Sequence, residues 1–262
     1  MPPRLYIDQA IHRDDRFALP AAAARHVQVL RLQPGDAVTL FNGQGGEWAA
    51  TVAGMGRRDV DVQVIEHIAA ERELSLRVTL ALGMPANDRM DDLVEKATEL
   101  GVAAIQPLLC ERSVLRLRGE RAEKRIAHWQ GVAIAACEQS GRTRVPQIAA
   151  VSNLTAWLQS LGPSGTESRL LLSLRQDRSL TLVPPQPQPQ PRPISALNPV
   201  SVLCLSGPEG GLTEAEEAAA LACGFKAVSL GARVLRADTA PLALLATLAC
   251  MAHLGLAREP SA

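Results

Sequence analysis

Leu205-Ser206-Gly207-Pro208-Glu209-Gly210-Gly211-Leu212-Thr213-Glu214 decides how this chain folds. The residues before it, Val200 to Leu205, form a short leucine and β-branched run bounded by Pro199, the pattern of a buried strand. The chain must then turn. Gly207, Gly210 and Gly211 permit positive φ and let the backbone approach a ligand without a Cβ, while Pro208 stiffens the bend. Thr213 with Glu216 three residues on forms a capping box, which predicts a helix through Leu221 that stops at Gly224. In an open α/β sheet, turns of this kind sit at the carboxyl ends of strands, where ligands bind.

The charges narrow the ligand. A phosphate cradle needs a helix start free of anions, yet Glu209, Glu214, Glu216 and Glu217 crowd this one. No GxxxxGK[ST] occurs, and Gly43-Gln44-Gly45-Gly46 runs into Glu47 and Trp48 in a strand-like segment. The turn therefore suits a neutral or cationic ligand. Downstream, Lys226 to Leu230 reads as another short strand, followed by the loop Gly231-Ala232-Arg233-Val234-Leu235-Arg236. Asp238 or Thr239 then caps a helix with Pro241 in its first turn. Its body, Leu242 to Leu254, is apolar nearly all round, as in helices buried in a core or a subunit interface.

Working upstream, Val78 to Leu82 reads as a strand, Asp88 to Leu100 as a helix and Ala103 to Leu109 as a strand after Gly101. A helix from about Glu120 to Cys137 puts Ile126, Trp129, Ala133 and Cys137 on one side and ends in the polar Glu138, Gln139, Arg142 and Arg144. Ser152 to Leu161 is an amphipathic helix and Arg169 to Leu174 a strand. Such alternation implies a parallel sheet, by general rules an ordinary doubly wound one. Pro184 to Pro193, rich in proline and glutamine, reads as an extended surface spacer. The first part of the chain differs. Leu5-Tyr6-Ile7, Ala37 to Phe41, Trp48 to Val52 and Val60 to Ile65 are short strands punctuated by Pro34-Gly35-Asp36 and Asn42-Gly43. With a short helix at Ala21 to Leu30 they suggest a small barrel, and Glu66 to Leu74 a linker.

Composition fits two unequal domains: 262 residues, 47% of them hydrophobic. The absence of an apolar leader and of an apolar run of ~18 residues argues against secretion and membrane spanning. Five cysteines without CxxC spacing suggest reduced thiols in a cytosolic protein. Cys137, Cys204, Cys223 and Cys250 lie in apolar contexts, so core positions are favoured over nucleophiles. The scattered histidines make a metal site improbable. Net charge is zero, but 24 of the 27 basic residues are arginine, and Glu111 to Arg125 carries six basic residues against three acidic. That segment is a candidate RNA-facing patch.

The two motifs Gly207-Pro208-Glu209-Gly210-Gly211 and Leu230-Gly231-x-Arg233-Val234-Leu235-Arg236-x-Asp238-Thr239-Ala240 resemble the RsmE family. These are SPOUT-class methyltransferases that methylate N3 of a uridine in 16S ribosomal RNA of the small subunit. Further matches are Glu95-Lys96-Ala97-Thr98-Glu99-Leu100-Gly101-Val102, Glu111-Arg112-Ser113, Glu138-Gln139-Ser140-Gly141-Arg142 and the stretch from His26 to Arg31. The family usually has glutamate where Asp238 stands. The resemblance implies a PUA-like RNA-binding β-barrel over residues 1–70 and an α/β SPOUT domain with a parallel sheet and a C-terminal trefoil knot over residues 75–262. It implies S-adenosyl-L-methionine as methyl donor, held largely by backbone groups. The positions concerned are Leu174, Gly207, Glu209, Gly210, Gly211, Leu230, Gly231, Val234 and Leu235. It implies RNA contacts at Arg4, His26, Arg31, Arg112 and Arg142, no metal, no membrane, a cytoplasmic setting and a homodimer packed on the final helix.

N3 methylation requires loss of the imide proton, so a base or an anion-stabilising group is needed. Glu209 and Asp238 are the candidate bases, and Arg233 and Arg236 candidates to stabilise pyrimidine charge or anchor a phosphate. Two other readings stay open: a non-catalytic RNA-binding dimer, and a dinucleotide-dependent α/β enzyme.

Overall fold

The computed structural model describes residues 2–86, 89–173 and 201–253. The chain divides into two compact units, residues 1–73 with 134–145 and residues 74–133 with 146–262.

The first unit contains β1 (Arg4–Tyr6), β2 (Arg16–Ala18), α1 (Ala21–Val29), β3 (Ala37–Phe41), β4 (Glu47–Met55) and β5 (Val60–Ile68). They form a five-stranded sheet in the order β1-β3-β4-β5-β2, with β1 parallel to β3 and every other pair antiparallel. The period-two pattern of β5 works as expected: Val60, Val62 and Val64 are buried while Asp61 and Gln63 are partly open. Register shifts between β4 and β5 at Ala49/Ala50 and Val52/Gly54 add the local bends of β-bulges, which curl the sheet around Leu5, Ile7, Val27, Leu40, Val52 and Val62. Helix α1 closes with a Schellman motif: the Leu32 amide donates to the Val27 carbonyl at 3.2 Å and the Arg31 amide to that of Gln28 at 3.0 Å. This leaves Arg31 in the left-handed region at φ 57°.

The second unit is a parallel α/β sheet. Its elements are β6 (Arg77–Gly83), α2 (Arg89–Glu99), β7 (Ala104–Leu109), α3 (Gly119–Ser140, its last turns in the first unit), β8 (Gln147–Ile148), β9 (Ser152–Asn153), α4 (Leu154–Ser160), β10 (Ser168–Leu172), β11 (Ser201–Ser206), α5 (Glu214–Ala222), β12 (Lys226–Val228) and α6 (Thr239–His253). Strand order among the described residues is β12-β10-β11-β6-β7-β8, with β9 also beside β7, and every pair is parallel. Leu80, Leu82, Ile105, Met90, Leu93 and Trp129 are fully buried, and the Trp129 indole donates to Asp91 at 2.9 Å. Because strands buried on both faces lack a polar face, β6 and β11 read as continuous apolar runs.

Several boundaries differ from the sequence reading. The segment read as a linker begins with strand, since β5 runs to Ile68, and its far end is fastened by ion pairs. The helix expected from Ser152 starts at Leu154, because Asn153 caps it by accepting from the Thr155 and Ala156 amides while Ser152 and Asn153 pair with β7. Leu174, the Pro184 to Pro193 segment and the whole connection 174–200, on which the implied knot depends, lie outside the described residues. No helix among the described residues is long and apolar enough to cross a membrane.

Candidate functional site

The carboxyl ends of β10, β11 and β12 open on one cleft of about 630 Å³, within the ~300–1,000 Å³ usual for small-ligand sites. The turn after β11 forms one wall. Its Gly211 sits at φ 68° and donates its amide to the Pro208 carbonyl at 2.8 Å, as the glycine pattern predicts. Thr213 and Glu216 form the complete capping box that starts α5. The loop after β12 forms the other wall, with Gly231 at φ 110°.

Three contacts hold the turn in place. Gly83 ends β6 directly beneath it, where a Cβ would lie 2.5 Å from Cδ of Pro208 and 2.6 Å from its nitrogen. Glu209 Oε1 accepts from the Ala86 amide at 2.9 Å and lies 3.8 Å from Nη1 of Arg89, tying the turn to the segment before α2. Arg112 Nη1 donates to the Gly210 carbonyl at 3.0 Å and reaches that of Leu212 at 3.4 Å. Glycine at 210 suits this brace, since a Cβ would approach Arg112 Cβ to a tight 3.0 Å. The cleft lining combines glycine backbone and apolar side chains with the charged Arg89, Glu209, Glu217, Arg233 and Arg236, and contains no lysine.

Residues 72–249 match the model of the RNA methyltransferase domain, and residues 19–65 that of the RNA methyltransferase PUA domain. The chain is 35% identical to the ribosomal RNA small subunit methyltransferase E of Synechocystis, across 87% of this chain and 71% of that one. With the same enzyme of Bacillus subtilis it shares 31% identity, across 94% of both. This chain belongs to the ribosomal RNA small subunit methyltransferase E family. Among solved structures, the family member from Neisseria gonorrhoeae bound to S-adenosyl methionine superposes with a TM-score of 0.82 at 33% identity, covering 97% of this chain and 98% of that one. A Legionella pneumophila protein in complex with bound SAM gives 0.84 at 29%, covering 95% and 98%.

For this methyltransferase E family chain, the cleft gathers every cofactor position expected from the sequence except Leu174, which is outside the described residues: Gly207, Glu209, Gly210 and Gly211 on one wall and Leu230, Gly231, Val234 and Leu235 on the other. Arg233 and Arg236 also line it, both exposed and without ion pairs among the described residues. Asp238 stands just behind, half-buried, and accepts from the Thr239 hydroxyl at 3.4 Å. The sequence reading missed Gly83, Arg89 and Ser173. A glycine closing a strand was the available signal for the first; the other two carry none until the sheet is assembled.

The expected RNA contacts require correction. His26 and Arg31, on and just after α1, are accessible, with Val29 and Leu30 exposed between them. Arg4 and Arg142 are buried, at 9% and 5% exposure. Arg4 pairs with Glu47, donates to the Arg142 carbonyl at 3.0 Å and lies over the Phe41 ring; Arg142 clasps Glu73 through Nε and Nη2. Their guanidiniums face carboxylates rather than solvent, because an isolated charge buried there would be prohibitively costly. Arg112, also expected on RNA, is exposed and uses Nη1 to support the glycine turn. The cysteine reading is borne out at Cys137 and Cys204, whose thiols burial pushes up to about 12, but Cys250 is exposed on α6.

Proposed function

We propose that this chain methylates N3 of a uridine in 16S ribosomal RNA of the small subunit, using S-adenosyl-L-methionine, and that it works in the cytoplasm as a homodimer. The observation that carries this reading is the cleft itself: two glycine-bearing loops at the ends of β11 and β12, the strands flanking β10, an acidic helix start that disfavours polyphosphate, and two arginines without ion pairs among the described residues on its rim. The donor's sulfonium, once bound, supplies an electrophilic methyl group. Gly211 and Gly231, with nothing within 4 Å of where a Cβ would stand, leave room for a ligand close to the main chain, and Leu230, Val234 and Leu235 offer an apolar wall.

The acceptor nitrogen must lose its imide proton as the new N–CH₃ bond forms and the S–CH₃ bond breaks with its electron pair to sulfur. Arg233 and Arg236 stabilise the negative charge that develops on the pyrimidine oxygens. Of the two carboxylates Asp238, just behind the cleft lining, is the less committed proton acceptor, because Glu209 is engaged by the Ala86 amide and the Arg89 guanidinium. Alignment of acceptor and donor supplies the remainder.

The apolar helix α6 supports a dimer. Only Pro241, Leu244 and Leu245 of its fifteen residues are fully buried, and most of the others are partly open within one chain. The barrel, with His26 partly exposed on α1 and Arg31 exposed just after it, would grip the RNA.

Label transfer from S-adenosylmethionine to isolated small subunits, followed by primer extension, tests the reaction. An N3 methyl group blocks base pairing, so the expected result is one new extension stop; methyl incorporation without a stop overturns the N3 assignment. Binding of the donor by calorimetry without any transfer would leave only a non-catalytic RNA-binding protein.

A further inference from the structure

A second cavity of about 420 Å³ lies against the other side of the glycine turn. The two cavities share a wall: Arg112 faces the first and its neighbour Glu111 the second, while Leu212 and Glu217 face the first and Thr213 and Glu216 the second. The floor is apolar, built of Leu109, Leu154 and Leu158. The negative charge of Glu216 is directed into the wall, where Oε1 accepts from the Glu111 amide at 2.8 Å and Oε2 from the Thr213 amide at 2.9 Å. Positive charge lies at the opening. Arg116 uses one N–H on the Glu111 carbonyl at 3.0 Å, leaving four others, and Arg118 has no hydrogen bond or ion pair among the described residues. Both are exposed, ahead of a segment in which Arg121, Lys124 and Arg125 alternate with Glu120 and Glu123.

We infer that this groove holds one nucleotide of the single-stranded RNA flanking the methylated base, with its phosphate on Arg116 and Arg118 and its base over the leucine floor. The inference rests on the RNA methyltransferase reading above. Recognition of single-stranded RNA works on unstacked nucleotides, with arginine forks on phosphate and aromatic or apolar side chains against the base. The shared wall explains why the groove belongs to the same strand: a target base presented to the first cavity brings its neighbour to the second. A free nucleotide alone would not need that adjacency.

The experiment compares wild-type protein with the double variants Arg116→Ala/Arg118→Ala and Arg116→Lys/Arg118→Lys, using filter binding to small-subunit ribosomal RNA across a salt series. The alanine pair is expected to bind RNA several-fold more weakly and to lose about 0.7 from the slope of log affinity against log salt, the value for one phosphate contact on a single strand. The lysine pair keeps the slope but not the full affinity. Affinity for S-adenosylmethionine by calorimetry and the melting temperature stay unchanged in both, because neither arginine reaches the first cleft. An alanine pair with wild-type RNA affinity and salt slope overturns the groove even if wild-type protein methylates RNA. If the alanine pair shows the expected slope change while wild-type protein transfers no methyl, the reaction is overturned and the groove stands.

Discussion

Glu47 concentrates the electrostatics of the first unit in one carboxylate. Arg72 grips it through both oxygens, at 2.9 and 3.0 Å, and Arg4 pairs with it from the buried side. The Arg72 fork is the main reason its pKa falls from 4.5 to about 2, with burial opposing and Arg4 assisting. The stabilisation, up to about 3 kcal/mol, is therefore fully present above pH 4.5 and is lost as the pH falls toward 2. Glu138, raised by burial, works in the opposite sense and loses stability as pH rises through the carboxylate range. Denaturant unfolding at pH 7 and pH 3 should show a steep acid loss in the wild type that Glu47→Gln flattens. Glu47→Ala should cost about 3–5 kcal/mol at pH 7, because it leaves Arg4 buried beside no anion. Arg31 is a second residue under tension. A left-handed conformation costs a non-glycine residue ~1 kcal/mol, so Arg31→Gly should melt slightly higher than wild type while binding RNA more weakly. A variant that gains stability and keeps its RNA affinity would remove Arg31 from the RNA face.

At the scale of elements, the turn between β11 and α5 depends on its neighbour β6. Gly83→Ala places a methyl group where Pro208 already sits, so the turn must move. The expected outcome is a stability loss of about 1–3 kcal/mol and S-adenosylmethionine binding weakened at least tenfold in calorimetry. Unchanged cofactor affinity would mean that the turn tolerates displacement. Elements with strong local signals were legible in the sequence: β3 falls on Ala37–Phe41 as read, and α5 begins after the Thr213 cap, as the capping box requires. Those without such signals were not. The three residues of β2 and the two each of β8 and β9 become strands only through partners contributed by distant chain segments. The same holds for the arginines. Sequence identifies a guanidinium but not its partner, and Arg4 and Arg142 look like RNA ligands until Glu47 and Glu73 are brought to them.

For the whole molecule, the open question in solution is how α6 is covered. Ala246 lies on the stripe with Leu242, Ala249 and Cys250, away from the buried Pro241, Leu244 and Leu245. Ala246→Glu should convert a dimer to a monomer in light scattering, and methyl transfer should fall with it if both subunits shape each site. A wild-type monomer at micromolar concentration would rule out the dimer. The whole-molecule plan was legible because glycine turn, arginine loop and apolar helix follow one another in order; the registers that make them one cleft come from the sheet.

The capped turn from Gly207 to Glu216 has a thermodynamic corollary. One rigid segment borders both cavities, and Glu216 fastens it to the main chain of Glu111. Any free energy that passes between the two ligands across it is reciprocal: if a bound nucleotide tightens the methyl donor tenfold, about 1.4 kcal/mol, the donor tightens the nucleotide by the same factor. Exchange of donor for spent product would then alter the hold on RNA, making release of the modified strand responsive to the chemistry just completed next door.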